Sequence, residues 1–576
     1  MTRALDEVPL GIRPLQPGLP STAVLANGLR RLPRERIRMQ ARRPRFITLF
    51  RVIRAYSVHT LGSDSLMRPG GAGRGCAAGG DPERAPGLKI FWGISLMNKG
   101  NTGLVVALTF VATLGGLLFG YDTAVISGAV SAIDHYFIDP QHLSQTAASS
   151  LSGWTISSAL LGCVIGSAVA GWFSSRFGRK GGLMVAALMF LIGSIGSAVP
   201  ELGLGTIGAM GPAALTPFII YRILGGMGVG IASMISPLYI AEIAPSEIRG
   251  RLVSFNQLAI VIGILLVYFV NWFIQSLGTP QWYYDTAWRL MFASEAIPAL
   301  LFLGLLAFVP DTPRWFVMRG RTEEALTQLT RVNGAERAGV ILEDIKRSLH
   351  VRSERLFAFG TPVLLIGIAL SVFQQFVGIN AVLYYAPLMF KNMGASTDSA
   401  FMQTVVVGAA NVVFTFVAIA TVDRLGRKPL LVIGSIAMGA SMLLLGGLFD
   451  ARAVGLWALV AVVAYIAGFA LSWGPVVWVL LSEMFPNSIK SKAMAIAVAA
   501  QWIANLFVSW SFKVLDGNSW LNAHFHHGFA YWIYGAMSIV SAIFVVRYVP
   551  ETKGRTLESI QELWHQHRRD AAAAQE

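Results

Sequence analysis

From residue 100 onward the sequence is a succession of apolar runs, each about 20 residues long, the length a helix needs to cross ~30 Å of hydrocarbon. About twelve such runs can be placed, at 102–128, 147–174, 181–199, 213–241, 251–275, 287–309, 358–389, 400–422, 429–449, 455–482, 493–514 and 528–549. They are continuous rather than alternating in ten-residue segments, which excludes an outer-membrane barrel. Only 13% of the residues are charged, about half the share of a soluble protein, while 54% are hydrophobic. The chain therefore reads as an all-α integral membrane protein.

The net charge of +15 does not point to nucleic acid, because the basic residues sit in the amino-terminal segment and in alternate connections between runs. Arg176, Arg179 and Lys180 follow the second run, Arg249 and Arg251 the fourth, and Arg314, Arg319 and Arg321 the sixth. Arg424, Arg427 and Lys428 follow the eighth, and Lys490 and Lys492 the tenth. Connections on the other side are short or acidic. By the positive-inside rule both termini are expected in the cytoplasm. Residues 1–96 are rich in Pro, Gly and Arg with no apolar period, and read as a disordered basic extension. Met97 would serve as an alternative start, so this extension need not be native. The two cysteines, Cys76 and Cys163, make neither a disulfide framework nor a metal site.

The halves repeat. Tyr239-Ile-Ala-Glu-Ile-Ala-Pro-Ser-Glu-Ile-Arg-Gly-Arg251 aligns without gaps on Leu480-Leu-Ser-Glu-Met-Phe-Pro-Asn-Ser-Ile-Lys-Ser-Lys492, an offset of 483 − 242 = 241 between the glutamates. Arg176-Phe-Gly-Arg-Lys180 answers Arg424-Leu-Gly-Arg-Lys428, and Val309-Pro-Asp-Thr answers Val549-Pro-Glu-Thr. A duplicated six-helix unit follows, and transporters built this way place substrate at the interface of the repeats. The expected architecture is twelve transmembrane helices in two pseudo-symmetric bundles, 97–310 and 358–550. A cytoplasmic linker at 311–357 joins them, with short amphipathic helices near Thr322 and Ile341, and a cytoplasmic tail covers 551–576.

One charge stands out in the first run. Asp122 is the only charged residue between Lys99 and Asp134. A carboxylate in such a run costs ~2.5–3.5 kcal/mol on insertion scales, so it is expected to face the bundle interior with a cationic partner, a proton, or both. Arg222, in the equally apolar fourth run, is the expected partner.

Several motifs resemble one family. Gly171-Trp-Phe-Ser-Ser-Arg-Phe-Gly-Arg-Lys180, Asp423-Arg-Leu-Gly-Arg-Lys428, Pro310-Asp-Thr-Pro-Arg-Trp315, Pro550-Glu-Thr-Lys-Gly554 and Gln374-Gln-Phe-Val-Gly-Ile-Asn380 occur in the order found in sugar porters of the major facilitator superfamily. Gly120-Tyr-Asp122, Val253-Ser-Phe-Asn-Gln257, Ser472-Trp-Gly-Pro-Val-Val-Trp478 and Ala500-Gln-Trp502 are most similar to the bacterial proton-coupled xylose branch. So is Ala523-His-Phe-His-His-Gly528. The resemblance implies Gln257, Gln374, Gln375, Asn380, Trp478, Gln501 and Trp502 as sugar contacts, with Tyr384 and Tyr385 near the outer gate. It also adds weight to Asp122 as a proton-coupling residue, because facilitators of the family generally carry a neutral residue there.

The residue chemistry agrees. A sugar is a ring of hydroxyls that donate and accept, with a flat apolar face, so it suits amides and aromatic rings. Gln374, Gln375, Asn380, Gln257, Asn411 and Gln501 supply amides from four runs, and Trp478 and Trp502 supply rings. Ile264 departs from the glutamine of the xylose branch, which leaves xylose against hexose open, and Ser175 replaces the usual acid of the first loop motif. At the cytoplasmic ends, Glu242 and Glu483 lie near Arg176, Arg179, Arg249, Arg424, Arg427 and Lys490, a candidate inner gate. His524, His526 and His527 read as a solvated loop with no carboxylate close in sequence, not as a metal site. The implied activity is proton-coupled symport of a monosaccharide, D-xylose first, into the cell across a bacterial inner membrane. The alternatives are a hexose symporter, a sugar facilitator or a sugar sensor. No enzyme constellation and no cofactor is implied, the partners being sugar, proton and lipid, and the chain is expected to be monomeric.

Overall fold

The structure, a computed structural model, describes residues 101–349, 356–453, 455–486, 488–553, 562 and 564. The extension expected at 1–96 and most of the tail after 550 lie outside the described residues. All described residues belong to one compact unit, Leu66–Glu576. Among them the regular structure is helical throughout.

The first half comprises α1 (Thr102–Val125), a 54-residue run Gln145–Ala198 that holds α2 and α3, α4 (Leu215–Ile243), α5 (Arg249–Ser276), and α6 (Trp288–Ser294 and Ala296–Ala307). Gly178 divides the long run, with φ 85° and ψ 172°. A side chain is strained in that conformation, so glycine sets the turn that ends α2 and starts α3. Among the described residues, eleven helical stretches are long and apolar enough to cross a membrane. Counting the division at Gly178, they make the twelve crossings expected.

Three short linker helices follow: α7 (Pro313–Met318), α8 (Thr322–Asn333) and α9 (Ala335–Leu349). Phe316, Ala325, Leu329, Ala338 and Leu342 bury their apolar faces against one another. Thr312 caps α7 by accepting from the Trp315 N–H at 3.4 Å, and Arg319 ties the linker to the carbonyls of Ser175 and Arg176.

The second half repeats the first as α10 (Thr361–Phe376), α11 (Ile379–Asn392), α12 (Thr397–Leu425), α13 (Arg427–Asp450), α14 (Leu456–Leu471), α15 (Trp473–Met484), α16 (Lys490–Asp516), a short α17 (Ser519–Phe525), and α18 (Phe529–Tyr548). Two spans that read as continuous in sequence are broken here. Gly378, with φ 91°, separates α10 from α11, and Ser472, with φ −132° and ψ −87°, separates α14 from α15. Such breaks are tolerated inside a bilayer where the freed backbone lines a cavity or meets a protein partner. Gln374 answers this need by donating to the Trp473 carbonyl at 2.8 Å, at the second break.

The halves meet through α2 against α16 and α5 against α12. Glycines let helices close within the first half: a Cβ on Gly120 would clash with the Ile260 carbonyl, and one on Gly226 with that of Ala159. Among the described residues, three hydrogen bonds join the halves: Lys513 to Asp134 at 2.9 Å, Trp510 to the Ser150 carbonyl at 3.3 Å, and Tyr268 to the Leu383 carbonyl at 2.7 Å. All three lie toward the end of the bundle opposite the basic connections.

Candidate functional site

Asp122 lies on α1 and Arg222 on α4, and the two helices bring them together. Arg222 Nη1 donates to Asp122 Oδ1 at 3.0 Å, with both residues 2% exposed. Gly225, one turn beyond Arg222, leaves the room: a Cβ there would stand 3.2 Å from Asp122 Oδ1. The guanidinium lies over the Phe292 ring, 5.3 Å from its centroid. Among the described residues, neither Asp122 Oδ2 nor Arg222 Nε has a hydrogen-bond partner.

A third ionisable group completes the cluster. Glu295, between the two parts of α6, is 0% exposed and lies within electrostatic reach of Asp122 and Arg222, and neither of its oxygens accepts from a donor among the described residues. Sequence reasoning passed over it. The signal was present, since Glu295 interrupts an apolar run as Asp122 does. The nearby Tyr121 hydroxyl bonds Ser294 Oγ at 2.8 Å, which ties α1 to α6 beside this group.

One helical position from Asp122, α1 opens onto a central cavity of about 90 Å³ between the halves. Thr123 and Ala124 line it, and so do all eight predicted sugar residues: Gln257, Gln374, Gln375, Asn380, Asn411, Trp478, Gln501 and Trp502. The amides form a relay. Asn380 Nδ2 donates to Gln375 Oε1 at 2.6 Å, and Gln375 Nε2 to Gln374 Oε1 at 3.4 Å. The break at Gly378 makes this possible by folding Asn380 back toward Gln375, where a continuous helix would have carried it on. Gln501 Oε1 and Trp502 Nε1 are buried with no partner among the described residues, an acceptor and a donor left open at the cavity.

Tyr384 lines the cavity and accepts from Asn505 Nδ2 at 3.4 Å, whereas Tyr385 points away and donates to the Ser509 carbonyl at 3.0 Å. Asn505 was missed in the sequence, although it lies four residues after Gln501 and so on the same helix face. Phe119 was missed too; its ring stands 5.5 Å from that of Trp502 across the interface. Ile264 lines the first-half wall, so the departure noted in sequence lies at the cavity.

At the basic end the two halves carry matching networks. Arg179 donates twice to Glu242, both at 2.8 Å, its N–H donates to Asp311 at 2.9 Å, and Thr312 donates to Glu242 at 2.6 Å. Arg427 donates twice to Glu483, at 3.2 and 2.9 Å, its N–H donates to Glu551 at 3.1 Å, and Thr552 donates to Glu483 at 2.6 Å. Burial raises the Asp311 carboxyl above its ordinary range despite the N–H donors of Thr312 and Arg179. Burial also acts on Glu551, but the N–H donors of Lys553, Arg427 and Lys428 outweigh it and hold that carboxyl low. Among the described residues, Arg176, Arg249, Arg424 and Lys490 border these networks without an ion pair. Arg249 donates to the Ala244 carbonyl at 3.4 Å, and the Arg424 carbonyl accepts from Lys553 at 2.7 Å.

The far end holds further charges that sequence reasoning missed or misread. Arg289 pairs with Glu201 at 2.7 Å and lies over the rings of Trp288 and Tyr136, 4.3 and 5.0 Å from their centroids. Burial works against Glu201, yet the hydrogen bonds from Arg289 and Tyr136 prevail and its carboxyl falls to about 2. The histidine loop is more structured than expected, because carboxylates arrive from other segments. His527 Nδ1 lies 2.8 Å from Asp516, and His526 Nδ1 lies 3.0 Å from the Asp450 carbonyl. The hydrogen bond with Asp516 outweighs burial and raises the His527 pKa.

Residues 108–564 match the family model described as "Sugar (and other) transporter". The chain belongs to this sugar transporter family. The transporter is 55% identical over 473 residues to the D-xylose-proton symporter of Escherichia coli (strain K12), covering 81% of its own length and 96% of the relative's. It is 46% identical to the glucose facilitated diffusion protein of Zymomonas mobilis, covering 81% and 99%. Its fold matches a partially occluded inward-open structure of the E. coli xylose transporter XylE with a TM-score of 0.73 at 52% identity, covering 79% of this chain and all of that one. A structure of the same symporter bound to 6-bromo-6-deoxy-D-glucose matches with a TM-score of 0.72 at 55% identity, covering 81% and 100%. The relatives are transporters by name, in line with a chain read as no enzyme.

Proposed function

We propose that this transporter couples uptake of a monosaccharide, D-xylose first, to entry of a proton by alternating access. The observation that carries the reading is that α1 holds a buried Asp122–Arg222 pair and, one residue on, lines an amide-rich cavity. The identity with the D-xylose-proton symporter supports the same substrate and the same coupling. Ile264 in the cavity wall and the glucose-transporting relative favour hexose as the second reading.

The mechanism follows from charge and hydrogen bonding. Asp122, Glu295 and Arg222 are two acids and one base at one buried point, so the cluster is neutral only while it holds one proton. Removing one member of a buried pair costs ~3–5 kcal/mol, so loading and unloading that proton changes how tightly α1 and α4 are held. The sugar docks between Gln374, Gln375, Asn380 and Gln501, with Asn411, Gln257 and the rings of Trp478 and Trp502 completing the contact. Sugar and proton together favour a state in which the halves close over the site, and the halves then rock about it.

Residues 97–310 and 358–550 act as the two rocking bundles, joined by the linker at 311–357. The basic end faces the cytoplasm, as do both termini, and the protein works as a monomer in a bacterial inner membrane. Tyr384 stands at the outer gate. Arg179 with Glu242 and Arg427 with Glu483 form the cytoplasmic gate, with Arg176, Arg249, Arg424 and Lys490 at its edge. The hydrogen bonds joining the halves at the outer end support an outside-closed state for this conformation. Uptake of labelled D-xylose and D-glucose into proteoliposomes, with and without an imposed pH gradient, tests the proposal. Gradient-driven accumulation of xylose is expected; equal, gradient-independent equilibration of both sugars would overturn it in favour of a facilitator.

A further inference from the structure

The central cavity is not the larger one. A cavity of about 640 Å³ lies at the outer end between α5 and α12, walled by the α5–α6 connection from the first half and the start of α12 from the second. That volume falls in the range of small-molecule sites, ~300–1,000 Å³. Trp272 and Tyr284 present ring surface, Thr397 and Ser399 hydroxyls, and Asp398 a carboxylate. Gln275 lines the same cavity, 9% exposed, and its Oε1 has no hydrogen-bond partner among the described residues. An amide oxygen buried without a donor is left desolvated at a cost that a hydroxyl-bearing ligand would relieve.

The lining chemistry selects among ligands. Ring faces beside an amide, four serine and threonine hydroxyls and one carboxylate match a pyranose, whose hydroxyls both donate and accept. An organic cation fits less well. The Lys391 ammonium already lies over the ring of Tyr283, 5.4 Å from its centroid, and Tyr283 lines the cavity. A second positive charge there would be repelled.

We infer that this outer cavity is a second monosaccharide site, distinct from the central one and formed only while the halves are closed on the outside. Both halves supply its walls, so parting them at the outer end dismantles it. A sugar bound there holds the halves together and favours the outside-closed state, because a ligand shifts a conformational equilibrium by its difference in affinity for the two states. High external sugar is then expected to slow its own import. This last consequence rests on the symport reading; the existence of the site does not.

Equilibrium binding of labelled D-xylose to the full chain in lipid nanodiscs tests it. The expected result is two classes of site, the outer at least about tenfold weaker than the central. Gln275→Leu should abolish the weaker class and leave the tighter, while Gln374→Leu should weaken the tighter class and leave the weaker unchanged. Tyr284→Ala, at a half-exposed position, should weaken the outer class alone and controls for any failure of the buried substitution to fold. A single class in the wild type, or two classes that survive both outer-site variants, would overturn the proposal. A tighter class weakened by no variant would count against the central site only. In proteoliposomes, uptake at low sugar should be unchanged in Tyr284→Ala, and its decline at high external sugar should vanish.

Discussion

The two halves share a skeleton and divide the chemistry. The first carries the buried charges, Asp122, Arg222 and Glu295 at mid-membrane and Glu201 with Arg289 at the outer end. The second carries most of the amides and rings of the central cavity, with only Gln257 contributed as an amide from the first. At the basic end, by contrast, the halves agree group for group, Arg179–Glu242–Thr312 answering Arg427–Glu483–Thr552. The repeat has kept its hinge chemistry and let its centre diverge. Coupling between proton and sugar must then cross the interface, where α1 touches the cavity walled by α10, α11 and α16.

The largest expected effect breaks that division of labour. Asp122→Asn should abolish gradient-driven accumulation while sugar exchange across the membrane persists. Full uphill uptake in that variant, measured in proteoliposomes, would reject a coupling role for the first half.

Substituting the amide walls should show the opposite pattern. Gln374→Leu removes a group that bonds both the chain break and the amide relay, and sugar affinity should fall by roughly 1–3 kcal/mol, about 5- to 150-fold. Gln257→Leu should cost less, because the first half offers that wall a single amide. Calorimetric titration with D-xylose compares them, and equal losses would undo the asymmetry.

The matched networks are expected to differ only in degree. The side chains of Arg179 and Glu242 are 7% and 9% exposed, those of Arg427 and Glu483 11% and 27%. Arg179→Ala leaves the deeper Glu242 carboxylate with Thr312 and only the longer contact to Arg314, at 3.9 Å, so its cost should move toward the ~3–5 kcal/mol of a broken buried pair. Arg427→Ala, whose partner reaches solvent, should lower stability less. Thermal unfolding of the two variants in one detergent decides the order.

The smallest effect concerns pH at the outer ends. Glu201, with its carboxyl lowered to about 2, contributes stability that is present above its unfolded value near 4.5 and lost only as pH falls toward 2. His527 has its pKa raised by Asp516, so its contribution is fully present below an unfolded value of about 6.5 and lost as pH rises through the folded one. Between pH 6 and 9 the second half's outer cap should therefore loosen while the first half's does not. Asp516→Asn should flatten this small drift in melting temperature.

Hydropathy, alternating basic connections and the internal repeat carried nearly all of the fold, because the bilayer restricts a spanning chain to helices or closed barrels and long unbroken apolar runs select the helices. The amides that line the central cavity were also legible, since an amide in an apolar span stands out and has few other uses. What they missed has a common cause. The breaks at Gly378 and Ser472 depend on backbone angles that a run of apolar letters does not encode. Glu295 interrupts an apolar run as Asp122 does, but only the packing of α6 set it near Asp122. The carboxylates facing His526 and His527 come from other helices, and so does the pairing of Arg289 with Glu201.

Sequence alone determined that this chain is a twice-repeated bundle of membrane helices with an acid on the first and amides on the seventh, since burial in hydrocarbon penalises each polar letter separately. Only the tertiary structure decided which of those polar groups meet: a three-member charge cluster, a cavity that shares a helix with it, and a larger outer cavity walled by both halves. Hydrogen bonds and ion pairs act over about 3 Å, and packing across an interface brings residues more than a hundred positions apart within that reach.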